Sequence, residues 1–285
     1  MTRIELLKGS YDLHVHCSPD CVPRAQSAKA LAEAAVKAQM AGIGLKDHTC
    51  STVGRCHVLN ETYQNSTRFF SSIVLNPSVG GINPCAVQAA LKSGCKIVYF
   101  PTFGAYHQIQ VQGPQGMPYP LPREFKGIRL NYEKHSEELD QILRLIKEHD
   151  AVIATGHLSP VESIQLLTKA ANAGIRRMIV THASEPVPAM SVEQQMECVH
   201  LGAKIEHCFM ACTQCSHPPI DIETIAQQIR SVGVEHVILS SDFGQVPNGS
   251  PVQGFAKFLE KMLDIDFSVN EIKTMIQFNP ESLVC

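Results

Sequence analysis

Eight short apolar runs, each followed by a stretch of helical spacing, constrain this chain more than any other feature. The runs start near residues 11, 42, 70, 96, 151, 176, 203 and 236, mostly 25 to 35 residues apart. Strands separated by helices at such intervals are joined by crossovers, which lay them parallel in one sheet. Eight units are the number that closes a (β/α)8 barrel, so the expected fold is α/β, a single TIM barrel over 1–285, with distortion allowed. An open doubly wound sheet is the competing arrangement. Its nucleotide-binding form is weakened because no G-x-G-x-x-G follows the first strand and no P-loop occurs.

The helical stretches are legible from their ends. Ser27 to Ala41 carries Ala and Leu at helical spacing and stops at Gly42, where a C-cap is expected. Further helices are expected over Pro84 to Ser93, Ser136 to His149, Pro160 to Ala173, Val192 to Leu201 and Asp221 to Val232, with two more segments closing the chain. The polar segment 52–67 also suits a helix. One interval breaks the rhythm. Residues 104–135 are rich in Pro, Gly and Gln, and a loop of that length in a compact domain reads as a lid or binding loop.

Charge and composition narrow the partners. A formal charge of -3 with both signs scattered gives no footprint for nucleic acid or a membrane surface, so the expected partner is a small-molecule substrate. Homo-oligomer formation is left open. The N-terminus lacks the basic start and apolar run of a signal peptide, and no stretch is long and apolar enough to cross a bilayer. A cytoplasmic protein is therefore expected. Most of the 11 cysteines sit in apolar runs and read as reduced core residues. Cys208, Cys212 and Cys215, followed by His217, stand apart. Their C-x3-C-x2-C spacing is one used for iron–sulfur clusters, although it comes late in this chain; a zinc site or plain loop and core cysteines are the alternatives.

The polar residues fall at one end of the strands. In an extended strand His14 and His16 share one face while Leu13 and Val15 take the other. His16 is near the end of the first strand, His48 of the second, His157 of the fifth, His182 of the sixth and Asp242 of the eighth. The C-terminal strand ends of a barrel open onto one face, so these metal-competent side chains converge without being adjacent in sequence. The same alternation turns Lys46 inward on the second strand and Glu206 inward on the seventh, where each could join a metal or pair with an opposite charge.

At these residues the chain resembles the amidohydrolase superfamily of metal-dependent hydrolases. The resemblance rests on His14-Val15-His16, Thr155-Gly156-His157, Val180-Thr181-His182 and Ser240-Ser241-Asp242, with a closing Asn279-Pro280-Glu281-Ser282-Leu283 similar to that family's terminal Asn-Pro-Ala-x-Leu. It implies that His14, His16 and His157 hold a metal with Asp242, while His182 is a second-metal ligand or a base. The chain departs from the binuclear pattern on the fourth strand, Tyr99-Phe100-Pro101-Thr102-Phe103, which has no bridging carboxylate; Lys46 is the substitute that alternation offers. A second resemblance, to the polymerase and histidinol phosphatase (PHP) family, rests on Asp12-Leu13-His14-Val15-His16 followed by Asp20, and on Lys46-Asp47-His48. It implies phosphate-ester hydrolysis, with His48 as a ligand, Asp20 or Asp47 in support, and Arg55, Arg123 or Arg129 as phosphate-binding cations.

Nitrogen-rich ligands favour Zn²⁺, with Mn²⁺, Fe²⁺ and Ni²⁺ as alternatives and one or two ions. Such a cation makes hydroxide available near neutral pH, with Asp242 as general base. The expected activity is hydrolysis of an amide, lactone or other ester bond. A PHP-type phosphoesterase, a metal-dependent decarboxylase or lyase, and a non-catalytic metal-binding barrel remain as alternatives. No G-x-S-x-G elbow supports a covalent acyl route.

Overall fold

The computed structural model of the protein describes residues 3–113, 124–130 and 135–285. In chain order the elements are α1 (Arg3–Leu7), β1 (Tyr11–Val15), α2 (Ala28–Lys37), β2 (Gly42–Leu45), α3 (Val53–Thr62), β3 (Arg68–Phe70), β4 (Ser72–Val74), α4 (Pro84–Lys92), β5 (Ile97–Tyr99) and α5 (Tyr106–Gln112). They continue with α6 (Ser136–Glu148), β6 (Val152–Ala154), α7 (Pro160–Asn172), β7 (Met178–Val180), α8 (Val192–His200), β8 (Lys204–Cys208), α9 (Ile222–Val232), β9 (Val237–Ser240), α10 (Pro251–Asp264), α11 (Val269–Lys273) and α12 (Asn279–Val284).

Every paired strand runs parallel to its neighbour. Only Ser71 separates β3 from β4, and the two act as one barrel strand whose first half pairs with β2 and second half with β5. The ring meets between β9 and β1. There the His16 amide donates to the Phe243 carbonyl at 2.8 Å and the Asp242 amide to the His14 carbonyl at 2.9 Å. Eight strand positions in sequence order make the expected (β/α)8 barrel, and the break at Ser71 is its irregularity. Serine and proline define several helix starts: Ser159 and Glu162 form a capping box at α7, with Pro160 in its first turn, and Ser191 and Gln194 form one at α8.

Apolar side chains fill two zones. One lies between the strands and the surrounding helices. The other lies inside the barrel, where Tyr11, Leu13, Ile97, Tyr99, Val152 and Ile238 pack together and Leu283 and Val284 of α12 close the end. Asn279 seats that plug, its side-chain amide donating to the carbonyls of Val234 at 2.8 Å and Val237 at 2.6 Å. The family-like C-terminal motif therefore has a packing role.

Two local expectations change. The helix expected to run to Ala41 stops at Lys37, and Gln39 takes the left-handed turn with φ 55°, so Gly42 opens β2 and is not a C-cap. The irregular interval 104–135 contains a helix, α5; residues 114–123 and 131–134, on which much of the lid expectation falls, lie outside the described residues. Among the described residues no helix is long and apolar enough to cross a membrane.

Candidate metal centre

β1 reaches the site through a bulge. Asp12 pairs with Ile43 but Val15 pairs with Leu45, so three steps along β1 match two along β2. The extra residue breaks the simple alternation. Leu13 packs inside the barrel with Tyr11, whereas Val15 packs outward; His14 also points inward, so strict alternation fails at Leu13. The Asp12 carboxylate pins the bulge by accepting from the amides of His14 at 3.3 Å and Ser241 at 3.0 Å. Gly44 completes it, since a Cβ there would overlap the Leu13 carbonyl.

Two further site residues stand on strained backbone. His182 follows β7 with φ 58° and Asp242 follows β9 with φ 49°, a region that costs a residue with a Cβ roughly 1–2 kcal/mol. Such strain persists only where surrounding structure imposes it, and it clusters at functional sites. Gly156 also has positive φ, 64°, and a Cβ on it would meet the carbonyls of Phe100 and Pro101. That close approach fixes the position of His157.

The side chains converge as follows. Asp242 Oδ1 lies 3.2 Å from His14 Nε2 and 3.0 Å from His16 Nε2, and the three residues form one potential ligand group. His14 Nδ1 is 3.0 Å from Glu206 Oε2, whose other oxygen accepts from Ser240 at 2.8 Å. With Glu206 ionised, Nδ1 carries the proton and Nε2 presents a lone pair towards Asp242. Lys46, only 1% exposed, donates to that nitrogen at 2.8 Å and lies 4.9 Å from the Tyr99 ring centre. Opposite, His182 Nδ1 comes within 2.6 Å of Glu185 Oε1 and His182 Nε2 within 3.8 Å of Asp242 Oδ2. Asp242 Oδ1, His182 Nδ1, Glu185 Oε1 and His157 Nε2 are all buried without a well-aligned hydrogen bond.

Burial keeps most of these imidazoles neutral. Desolvation, helped by Lys46 and the neighbouring histidines, holds His14, His16, His48 and His157 well below the usual histidine range. Neutral imidazole is the form that ligates metals. His182 differs: burial works against its charge, but the Glu185 carboxylate and then Asp242 raise it above the usual value. Desolvation in turn raises Glu185 and Glu206.

His48 and His157 stand further out. His48 stacks on His16 at 4.7 Å between ring centres and shares a hydrogen bond of 2.9 Å with Thr102 Oγ1. His157 lies 5.0 Å from His182 by the same measure and donates from Nδ1 to Gln108 Oε1 at 2.7 Å, so its Nε2 presents a lone pair. Neither joins the close His14–His16–Asp242 group, though both line the same cavity of about 330 Å³. Arg24, Phe103, Gln108, Val187, Met210 and Gln245 also line it.

Several of these residues escape sequence reasoning. Glu185 and Arg24 sit in connections and Gln108 on the short α5, and only a His-x-x-Glu spacing after β7 could have flagged Glu185. Arg24 reaches the site from Asp20, to which it is paired at 2.7 Å, and its NH2 is 3.3 Å from His16 Nδ1. The acids and arginines expected for phosphate chemistry are placed otherwise. Asp47 binds Arg55 and, at 2.8 Å, both the amide and hydroxyl of Thr49. Arg129 stacks on Tyr106, and Arg123 lies outside the described residues. The three cysteines of the C-x3-C-x2-C run do not form one ligand group: Cys208 is in the barrel interior, while Cys215 lines the cavity and donates to Asn248 Oδ1.

Fold and site together define a parallel (β/α)8 barrel with a buried set of potential metal ligands at its C-terminal strand ends. An amidohydrolase from Pseudomonas aeruginosa superposes with TM-score 0.66 at 11% identity, over 100% of this chain and 98% of that one. An organophosphorus hydrolase from Deinococcus radiodurans gives 0.63 at 10%, over 100% and 94%, and a probable dipeptidase from Pseudomonas aeruginosa gives 0.63 at 10%, over 98% and 95%. At such identities these neighbours establish the shared fold. The PHP resemblance finds no support among them. No curated protein sequence matches the chain. Residues 9–206 match the model of a family of unknown function, DUF6282, and the chain belongs to that family.

Proposed function

We propose that this protein is a metal-dependent hydrolase that directs an activated water at an amide, lactone or other ester bond of a small molecule. The observation that carries this reading is the facing of lone pairs. His14 Nε2 and Asp242 Oδ1 are 3.2 Å apart in a buried site, with His16 Nε2 3.0 Å from the same oxygen. Buried acceptors turned on one another are unfavourable unless a cation joins them. Lys46 serves His14 in the chain alone, but Asp242 Oδ1 and His157 Nε2 keep no partner, which suits a bound ion.

His14, His16 and Asp242 would hold that ion, with His157 and His182 as further ligands or polarising groups and His48 at the edge. An imidazole-rich set with one carboxylate fits Zn²⁺. A divalent cation there supplies Lewis acidity, bringing the pKa of the attacking water from about 16 to about 7 and polarising the scissile oxygen. Asp242 takes the water's proton and passes it to the leaving group. Glu185 holds His182 against Asp242, and Glu206 fixes the ring of His14 so that Nε2 faces the reacting centre. Arg24 and Gln245 offer donors to the substrate, while Phe103, Val187 and Met210 give it an apolar wall. A cavity of about 330 Å³ is at the small end of the range for ligand sites, in keeping with a compact substrate.

The test is a chelator-treated preparation reconstituted with Zn²⁺ and screened on lactones, N-acyl compounds, cyclic amides and phosphate esters. Turnover should return with the metal and be lost in Asp242→Asn. Full activity in the metal-free protein would sink the proposal, and turnover confined to phosphate esters would redirect it to PHP-type chemistry.

A further inference from the structure

The reaction just described leaves one buried side chain of the site unused. One ligand atom from each of His14, His182, Glu206 and Cys208 lies within 4.8 Å of the others, all four residues being buried. Glu206 and Cys208 are two apart on β8, so one strand delivers both to the barrel interior. Cys208 Sγ is 3.9 Å from His14 Nδ1, the nitrogen that Glu206 Oε2 meets at 3.0 Å. Cys208 is the one cysteine that joins such a group among the described residues.

Simple packing does not account for a thiol here. The interior neighbours that supply hydrophobic contact, such as Leu13, Val152 and Ile238, form a separate apolar cluster that does not include Cys208. What surrounds it instead is a set of metal-competent side chains, His14, His182 and Glu206. Cysteine ligates a metal as the thiolate, so a cation taken up here would displace the Cys208 thiol proton.

We infer that His182, Glu206 and Cys208 form a second, sulfur-containing cation seat beside the first. His14 stays with the first seat through Nε2, its Nδ1–H still on Glu206 Oε2, because a carboxylate oxygen can accept a hydrogen bond and ligate at once. Thiolate, imidazole and carboxylate together suit a borderline-soft divalent ion, Zn²⁺ or Co²⁺, over Mg²⁺ or Ca²⁺. The inference rests on the metal-centre reading for its first seat and adds a ligand type that the first seat lacks.

Cobalt alone is the probe. Full-length protein stripped of metal is titrated with Co²⁺ while bound cobalt per chain and the near-ultraviolet sulfur-to-cobalt absorption are followed. The wild type should take two cobalt ions and develop that absorption; Cys208→Ser should lose the absorption and one ion. Should Cys208→Ser fail to fold, X-ray absorption on the zinc-loaded wild type decides instead, by a sulfur neighbour at about 2.3 Å beside nitrogen and oxygen at about 2.0–2.2 Å. Saturation at one ion without the absorption, an absorption that survives Cys208→Ser, or zinc with only nitrogen and oxygen neighbours would each overturn the inference. These readouts are independent of turnover. An absorbing two-cobalt protein inert on every substrate would refute the hydrolase proposal and leave the seat standing, and an active one-ion protein would do the reverse.

Discussion

The two halves of the barrel interior are built on opposite principles. Towards the N-terminal strand ends, Tyr11, Leu13, Ile97 and Val152 pack against Leu283 and Val284, and the polar groups beside them are satisfied, as the two hydrogen bonds from Asn279 illustrate. Towards the other end β1, β8 and the residues just after β1, β2 and β9 carry buried His14, His16, Lys46, Glu206 and Asp242, with two residues at positive φ and side-chain atoms without aligned partners nearby. Burying an unpaired polar or charged group opposes folding by about 1–3 kcal/mol or more. The lower half therefore carries stability for the upper, which holds an arrangement that stability alone would not select.

That contrast breaks first at Asp242. Asp242→Asn keeps the shape and removes the charge, so turnover should fall by roughly 10²- to 10⁴-fold, the range for a general base. Thermal stability of the metal-free protein should change much less than turnover, because the amide keeps the shape and can donate where Asp242 Oδ1 has no hydrogen bond. Kinetics on an identified substrate, paired with calorimetry, measures both. A variant that loses stability and activity together would mean that Asp242 is structural.

At Leu283, in the lower half, the opposite result is expected. Leu283→Ala should cost about 2–5 kcal/mol in denaturant unfolding by opening a cavity in the plug. Activity per folded molecule and metal content should not change. A loss of bound metal in this variant would show that the two halves are coupled through the strands and would end the division of labour.

How much of this was legible in the sequence follows the same division. The eight strand positions could be read because apolar runs and helical spacing are local signals, and each expected start lies within a few residues of an observed one. His14 and His16 were visible as a pair, but the bulge that turns His14 inward was not: alternation assumes one residue per step, and the extra residue is defined only by pairing with β2. His182 and Asp242 could be named from their strand ends, but not their left-handed backbone, since neither is glycine. Glu185 and Arg24 were hidden because connections have no periodicity, and Gln108 because α5 is a short helix inside an irregular interval; what selects all three is contact across the mouth of the barrel. The amidohydrolase resemblance set His157 among the metal ligands and His48 entered only with the PHP alternative, whereas the structure places both outside the closest group.

His16 sharpens the comparison by separating the metal from the residues that hold it. His16→Ala should lower metal affinity and leave the metal-free unfolding curve nearly unchanged. At a free metal concentration of 100 times Kd the wild type gains about 2.7 kcal/mol from binding, and the variant should forfeit most of that. Melting curves with and without Zn²⁺ provide the check. An equal stability increment in both proteins would place the ion elsewhere.

The smallest effect is expected outside the barrel, where Arg177 reaches over the C-terminal plug. Its guanidinium donates to the Ser282 carbonyl at 2.9 Å and the Cys285 carbonyl at 3.3 Å, and pairs with Asp150 at 2.8 Å. Asp150 is 71% exposed, so solvent screens the pair and its contribution should be under about 1 kcal/mol. The hydrogen bond from Arg177 lowers the Asp150 carboxyl below its usual value, so this contribution is present above the unfolded carboxyl's pKa and is lost as pH falls through the folded one. Asp150 also sits at φ 47°, which makes Asp150→Asn the suitable probe, because asparagine tolerates that backbone and only the charge is removed. Unfolding free energies should differ slightly at neutral pH and low salt, and the difference should close in 1 M salt, where screening acts over about 3 Å. A cost approaching that of Leu283→Ala would mean that the plug is held from outside by charge, whereas near-neutrality leaves apolar burial as what keeps the floor of the barrel in place.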